Sequence, residues 1–265
     1  TYGSQIVITA GFTLLCMYAV SRGIEVMGRI GHVLVFATLW IIVVTTLLLA
    51  REMRWSNFLP LFELKPWEFV KGTHIVTAIP LGEIIVLMWV MGSVRDHESM
   101  VRHTLYGLLI GGLSFLLVAM RNTAVLGAVE RIMQSPSFEA TRMIHVGDVL
   151  TRMDMLIAIG HTTMLFLKCS LLYYAAVLSI AQLLGLKSYL PLVAPFCGIM
   201  VVMSEAMVFQ SSLDANIHKN IEIIFVIPLL YVLPPLALLI AAMRGLPRHE
   251  RRKPAPQSGP GGAGK

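Results

Sequence analysis

The stretch THIVTAIPLGEIIVLMWVMGSV, residues 73–94, decides how this chain is read. It is long enough to cross a bilayer, which takes about 20 apolar residues in a helix. Its centre, Ala78-Ile79-Pro80-Leu81-Gly82-Glu83, sets a helix breaker, a flexible residue and a carboxylate near mid-depth. Proline removes a backbone donor and clashes with the preceding turn; glycine relaxes the backbone beside it. In hydrocarbon the freed amides and carbonyls must find partners, so a broken helix survives only inside protein or along a wet cavity. A charge such as Glu83 at that depth is costly and points to a function. Broken helices near the midplane are how many secondary transporters build their substrate sites. The stretch therefore predicts a helical membrane protein that binds a small solute.

The chain on either side agrees. Of 265 residues, 56% are hydrophobic and only 14% charged, against about 25% charged in soluble domains. The apolar runs lack the alternation of barrel strands. Seven spans are expected, at about 5–21, 26–50, 73–94, 105–120, 154–184, 190–209 and 221–243, all within one transmembrane domain over 1–246. Between the second and third, Trp55, Phe58, Phe62, Trp67 and Phe69 have the density of an interfacial segment. In 121–152, Val125, Leu126, Val129, Ile132 and Met133 recur at helical spacing before Ser135-Pro136-Ser137 stops the pattern, which predicts a surface helix. The Pro-, Gly- and Arg-rich tail 247–265 reads as disordered.

The net charge of +6 is not a nucleic-acid signature, because much of it sits in Arg244, Arg248, Arg251, Arg252 and Lys253. Such a cluster after a span belongs in the cytoplasm and touches anionic lipid. With the tail inside, seven spans put Thr1 outside. No signal peptide is visible in the sequence, so the expectation is an upstream piece with an odd number of spans. Cys16, Cys169 and Cys197 lie in apolar runs at spacings that match no metal or redox motif. Nucleophile elbows, zinc-protease motifs and phosphate loops are absent too, so neither an enzyme, a metal nor a cofactor is expected.

Seven motifs occur in order: Ala19-Val20-Ser21-Arg22-Gly23-Ile24-Glu25-Val26 with Gly28-Arg29, Asn57-Phe58-Leu59-Pro60-Leu61-Phe62, the break Ala78 to Glu83, Thr151-Arg152-Met153-Asp154, Phe166-Leu167-Lys168-Cys169-Ser170, Tyr174-Ala175-Ala176, and Ala181 to Lys187. Together they resemble the B-subunit family of spore germinant receptors, the endospore germination permeases of the amino acid–polyamine–organocation transporter superfamily. Pro191-Leu192 and the proline-rich last span complete the pattern. The resemblance covers about Gly11 to Arg244 and implies an all-α, inverted-repeat (LeuT-like) fold of ten spans, of which these seven are the fourth to tenth. It also implies a nutrient-receptor function, with receptor A and C subunits as partners, in the inner membrane of the spore. A second reading is a proton-coupled secondary transporter of amino acids, using Glu83 or Lys168.

The expected ligand site follows from the break. Half-helix ends present unpaired N–H and C=O groups, suited to the carboxylate and the ammonium of a free amino acid. Val76, Thr77, Ala78 and Ile79 supply the backbone before the break, Pro80 makes it, and Gly82 and Glu83 begin the second half. The plainer alternative is a structural proline kink. Lys168 is the natural opposite number of Glu83, as a lysine deep in a span that needs a carboxylate, carbonyls or water; the alternative is a snorkelling or helix-bridging lysine. Ser170 and Tyr174 are four residues apart and share a face, either as ligand contacts or as interhelical glue. His161, seven residues before Lys168, lies on the lysine's face.

Overall fold

The computed structural model describes residues 2–59, 65–77, 81–86, 97–133, 135–143, 154–213 and 228–244. The described residues are helical throughout their regular structure, with no strand, so the protein is an all-α polytopic bundle. Five described helices are long and apolar enough to cross a membrane. The chain divides into two compact units, 1–219 and 220–265.

In the first unit α1 (Tyr2–Arg22) and α2 (Ile24–Leu49) are joined through Gly23 alone. Along α2 the side chains of Val33, Phe36, Trp40, Val43 and Leu47 recur every three or four residues and are all exposed. An uncovered apolar stripe of that length is unusual on a soluble protein and is the surface a helix turns to lipid. Nothing in α2 breaks the helical pattern until Ala50, where the chain passes into a 3-10 turn, Trp55–Phe58.

Pro66 then opens α3 (Pro66–Val76) at a position where its missing N–H is no loss. The 3-10 turn Gly82–Val86 follows. The expected third span is thus divided, in its described part, between an α-helix and a 3-10 segment. Ala78, Ile79, Pro80 and residues 87–94 of that stretch lie outside the described residues.

The helix that holds the expected fourth span is longer than its apolar run. It is α4 (His97–Leu126), continued by the 3-10 turn Gly127–Ile132. Arg121 and Asn122 do not end it, because neither breaks a helix; Gly127, with φ of 58°, does. Ser135 precedes α5 (Pro136–Arg142), a short helix at the level of the ends of α2 and α4.

The long α6 (Asp154–Leu183) is central to the unit and packs against α1, α2, α5 and α7 (Leu190–Leu213). Its end is a Schellman motif: Gly185 takes φ of 64°, the Leu186 N–H donates to the Ala181 carbonyl at 2.9 Å, and Gly185 donates to Gln182 at 3.2 Å.

Two cores result. One lies where α1, α6 and α7 meet and is built on Cys16, Val20, Tyr173, Val177 and Cys197. The other closes one end of the bundle with Leu49, Leu126 and Ala140. There the Arg54 N–H and the Asn57 Nδ2 both donate to the Ala124 carbonyl, at 2.9 and 2.8 Å, lacing the 3-10 turn across α4.

The second unit has a π-helical turn, Pro228–Val232, followed by α8 (Leu233–Met243). Pro234 and Pro235 sit in the first turn of α8, which explains why the π turn precedes a short helix and not a continuous one. The expected tail 247–265 lies outside the described residues.

Candidate functional site

The helix α6 presents two different faces. Ile157, Gly160, His161, Met164, Leu165 and Lys168 face α2 and α4. Ser170, Tyr173, Tyr174 and Val177 face α1 and α7 and are buried there. With about 100° per residue, Ser170 stands about 200° around the helix from Lys168, so the two cannot share a surface.

On the first face Lys168 Nζ lies 2.8 Å from Glu83 Oε1. The 3-10 turn Gly82–Val86 rests against α6 and brings the carboxylate to the ammonium. The side chains remain 47% and 38% exposed respectively. A charge facing lipid at a helix centre costs about 3 kcal/mol, so this pair needs protein or water over its open side. Thr77 is exposed, and its hydroxyl donates back to the Thr73 carbonyl at 2.8 Å. Of the other residues of the break, Gly82 is half-buried, and Ala78, Ile79 and Pro80 lie outside the described residues.

On the second face Ser170 is 1% exposed, and its Oγ has no hydrogen-bond partner among the described residues. Tyr174 is buried and meets the Tyr189 ring edge-on, with centroids 5.3 Å apart. The Tyr173 hydroxyl donates to the Val193 carbonyl, and that of Tyr189 donates to Val20 at 3.3 Å. Tyr189 lies between spans, and burial pushes its phenol above the ordinary tyrosine range.

Between α2, α4, α5 and α6 lies a cavity of about 640 Å³. Lys168 and His161 line it, so the expected shared face of these two residues opens into one space. Its other end is organised by Arg121, which is 2% exposed. Arg121 Nη1 donates to Thr45 Oγ1 at 2.9 Å, and Nε and Nη2 donate to Asn122 Oδ1 at 3.2 and 3.0 Å. The Thr45 hydroxyl in turn donates to the Ile41 carbonyl at 2.7 Å, and Asn122 Nδ2 donates to Ser137 Oγ at 2.9 Å. Every partner of this buried cation among the described residues is neutral. Glu130 also lines the cavity, but its carboxylate accepts from Thr123 Oγ1 at 2.7 Å, and the ion pairs among the described residues do not include one with Arg121. Thr38 lines the same space, and its Oγ1 is buried without a hydrogen-bond partner among the described residues.

The sequence does not single out Arg121. It follows Met120 at the end of an apolar run, where an arginine ordinarily marks the interface. The available signal was its neighbourhood: polar residues over 121–123 inside a pattern with no breaker before Gly127.

Comparison with known proteins accords with this architecture. The family model described as spore germination protein matches residues 3–213. Spore germination protein KB of Bacillus subtilis (strain 168) is 24% identical over 254 residues, which cover 94% of this chain and 68% of that relative. No solved structure matches. With its family model matched over most of its length by five apolar helices and their connections, this integral membrane chain belongs to the spore germination protein family.

Proposed function

We propose that the chain is the membrane subunit of a nutrient germinant receptor, which binds an amino acid or a similar small nutrient and so triggers germination. The observation that carries this reading is the 2.8 Å ion pair between Glu83 and Lys168 beside a non-α segment in an apolar stretch. Opposite charges at such depth can separate to meet the carboxylate and ammonium of a zwitterion and re-form when it leaves. In this reading Thr77, Ala78, Ile79, Pro80 and Gly82 supply backbone groups, and Glu83 and Lys168 supply charge. Ser170 and Tyr174 carry a shift of α6 into its packing on α1 and α7. A ligand changes the conformational balance only through unequal affinity for two states, and breaking or remaking this pair provides the difference. Receptor A and C subunits would read the change, in the spore inner membrane, with the C-terminus in the cytoplasm.

The same half-exposed pair also serves the second reading, a proton-coupled amino acid transporter. Fold does not separate the two. Spores lacking the gene decide between them, by dipicolinic acid release across single amino acids and sugars, alongside uptake of the same labelled compounds by vegetative cells. The receptor reading expects selective loss of one germination response with uptake intact. Lost uptake with normal germination would overturn it in favour of transport.

A further inference from the structure

We infer that the cavity between α2, α4, α5 and α6 holds a second recognition site, in which Arg121 binds the carboxylate of a small, largely apolar solute. The inference does not rest on the reading of the Glu83–Lys168 pair.

A buried charge needs a countercharge or a full set of hydrogen bonds. Arg121 has neither. An arginine carries an N–H on Nε and two on each terminal nitrogen. Thr45 and Asn122 take one from Nη1, one from Nη2 and that of Nε. One N–H on each terminal nitrogen is left over, and a carboxylate accepts such a pair in a forked contact. Thr45 and Asn122 are in turn held by the Ile41 carbonyl and by Ser137, so the guanidinium is fixed in place before any anion arrives. Fixed donors lose little freedom on binding.

The surroundings select the rest of the solute. Thr38 contributes to the wall, with its methyl group towards Gly160. The other walls include Ile42, Phe115, Val118 and Ile157, which suit a short apolar body. The volume of about 640 Å³ holds a molecule of a few carbons together with water. Lys168 stands at the far end: from Ile157 to Lys168 the wall of α6 rises by about 16 Å. One small carboxylate therefore meets Arg121 or Lys168, not both.

The experiment uses the full chain in lipid nanodiscs and follows saturation-transfer NMR of propionate, with propionamide as the uncharged isostere. The expected result is saturable propionate binding, with propionamide at least tenfold weaker. Arg121→Gln should abolish the signal, and Arg29→Gln, on the exposed surface outside the cavity, should leave it in place. Because Arg121→Gln removes a buried network and can fail to fold, a second measurement uses the unaltered chain. Phenylglyoxal modifies guanidinium groups, and propionate should slow its reaction at the peptide containing Arg121 while sparing none of the exposed Arg29. Equal binding of propionate and propionamide, retention in a folded Arg121→Gln chain, loss in Arg29→Gln, or no protection of Arg121 would each overturn the assignment.

Discussion

Lys168 of α6 and Glu83 of the divided third segment are joined at 2.8 Å, while the other ion pairs among the described residues, Glu25–Arg29 and Glu139–Arg142, are local contacts within single helices. The Lys168–Glu83 pair therefore ties two distant parts of the chain together by charge. Neutralising one partner leaves the other alone, so Glu83→Gln and Lys168→Met should each impair folding and the germination response. Exchanging the charges, Glu83→Lys with Lys168→Glu, should restore folded protein. In detergent, where the half-exposed pair is solvated, the coupling should be small, about 0.2–1 kcal/mol. A double-mutant cycle of thermal unfolding checks it. A charge exchange that rescues nothing would mean that the contact does not link the two segments.

Gly127 closes the long α4 at φ of 58°, and a Cβ built there would lie 3.0 Å from Asn57 Cγ. Gly185 has φ of 64°, but nothing lies within 4 Å of its Cβ position. Alanine at either glycine meets the left-handed strain of about 1 kcal/mol. Only at position 127 does it also push on the side chain that laces the 3-10 turn to Ala124. Gly127→Ala should therefore lower the unfolding midpoint more than Gly185→Ala does. Equal effects would show that the close approach of Asn57 is not what requires glycine there.

The spans were legible because length and apolarity suffice to set a helix across a bilayer, and α1, α2, α6 and α7 run close to the expected limits. Lys168 and Glu83 were legible as partners because isolated opposite charges in apolar runs have few other choices. Arg121 was not, because hydropathy ends the fourth span at Met120 while backbone propensity carries the helix on to Leu126. The shared face of Ser170 and Tyr174 was plain from their spacing. What that face meets was not, since a helix surrounded by neighbours gives no sign in its own sequence of which neighbour stands where. The 200° between Lys168 and Ser170 was nevertheless written in the numbering.

The core shared by α1, α6 and α7 contains two tyrosine hydroxyls that cross between helices. Tyr173 is 2% exposed and donates to Val193, whereas Tyr189 is part-buried and donates to Val20 at the longer distance of 3.3 Å. A buried hydrogen bond is worth about 0.5–1.5 kcal/mol net, and a longer, wetter one less. Tyr173→Phe should thus destabilise the chain by about 1 kcal/mol, and Tyr189→Phe by less. Thermal unfolding of both variants in the same detergent checks the order. The reverse order would assign the α6–α7 contact to ring packing alone.

Gly160 sits where α6 comes closest to the cavity wall of α2. A Cβ there would meet Ile41 Cδ1 and Thr38 Cγ2, each at 3.7 Å, which is ordinary contact. Alanine therefore fits, and by restricting the backbone it should stabilise the helix by up to about 1 kcal/mol. Leucine does not fit without moving α2, and overpacking of this kind costs about 1–3 kcal/mol. The side chain would also press on Thr38 and take space from the cavity. Gly160→Ala should keep propionate binding within about twofold, whereas Gly160→Leu should lower the unfolding midpoint and remove the binding. If Gly160→Leu bound propionate as well as the unaltered chain, the solute would have to lie away from the Thr38 wall, against the place assigned to it beside Arg121.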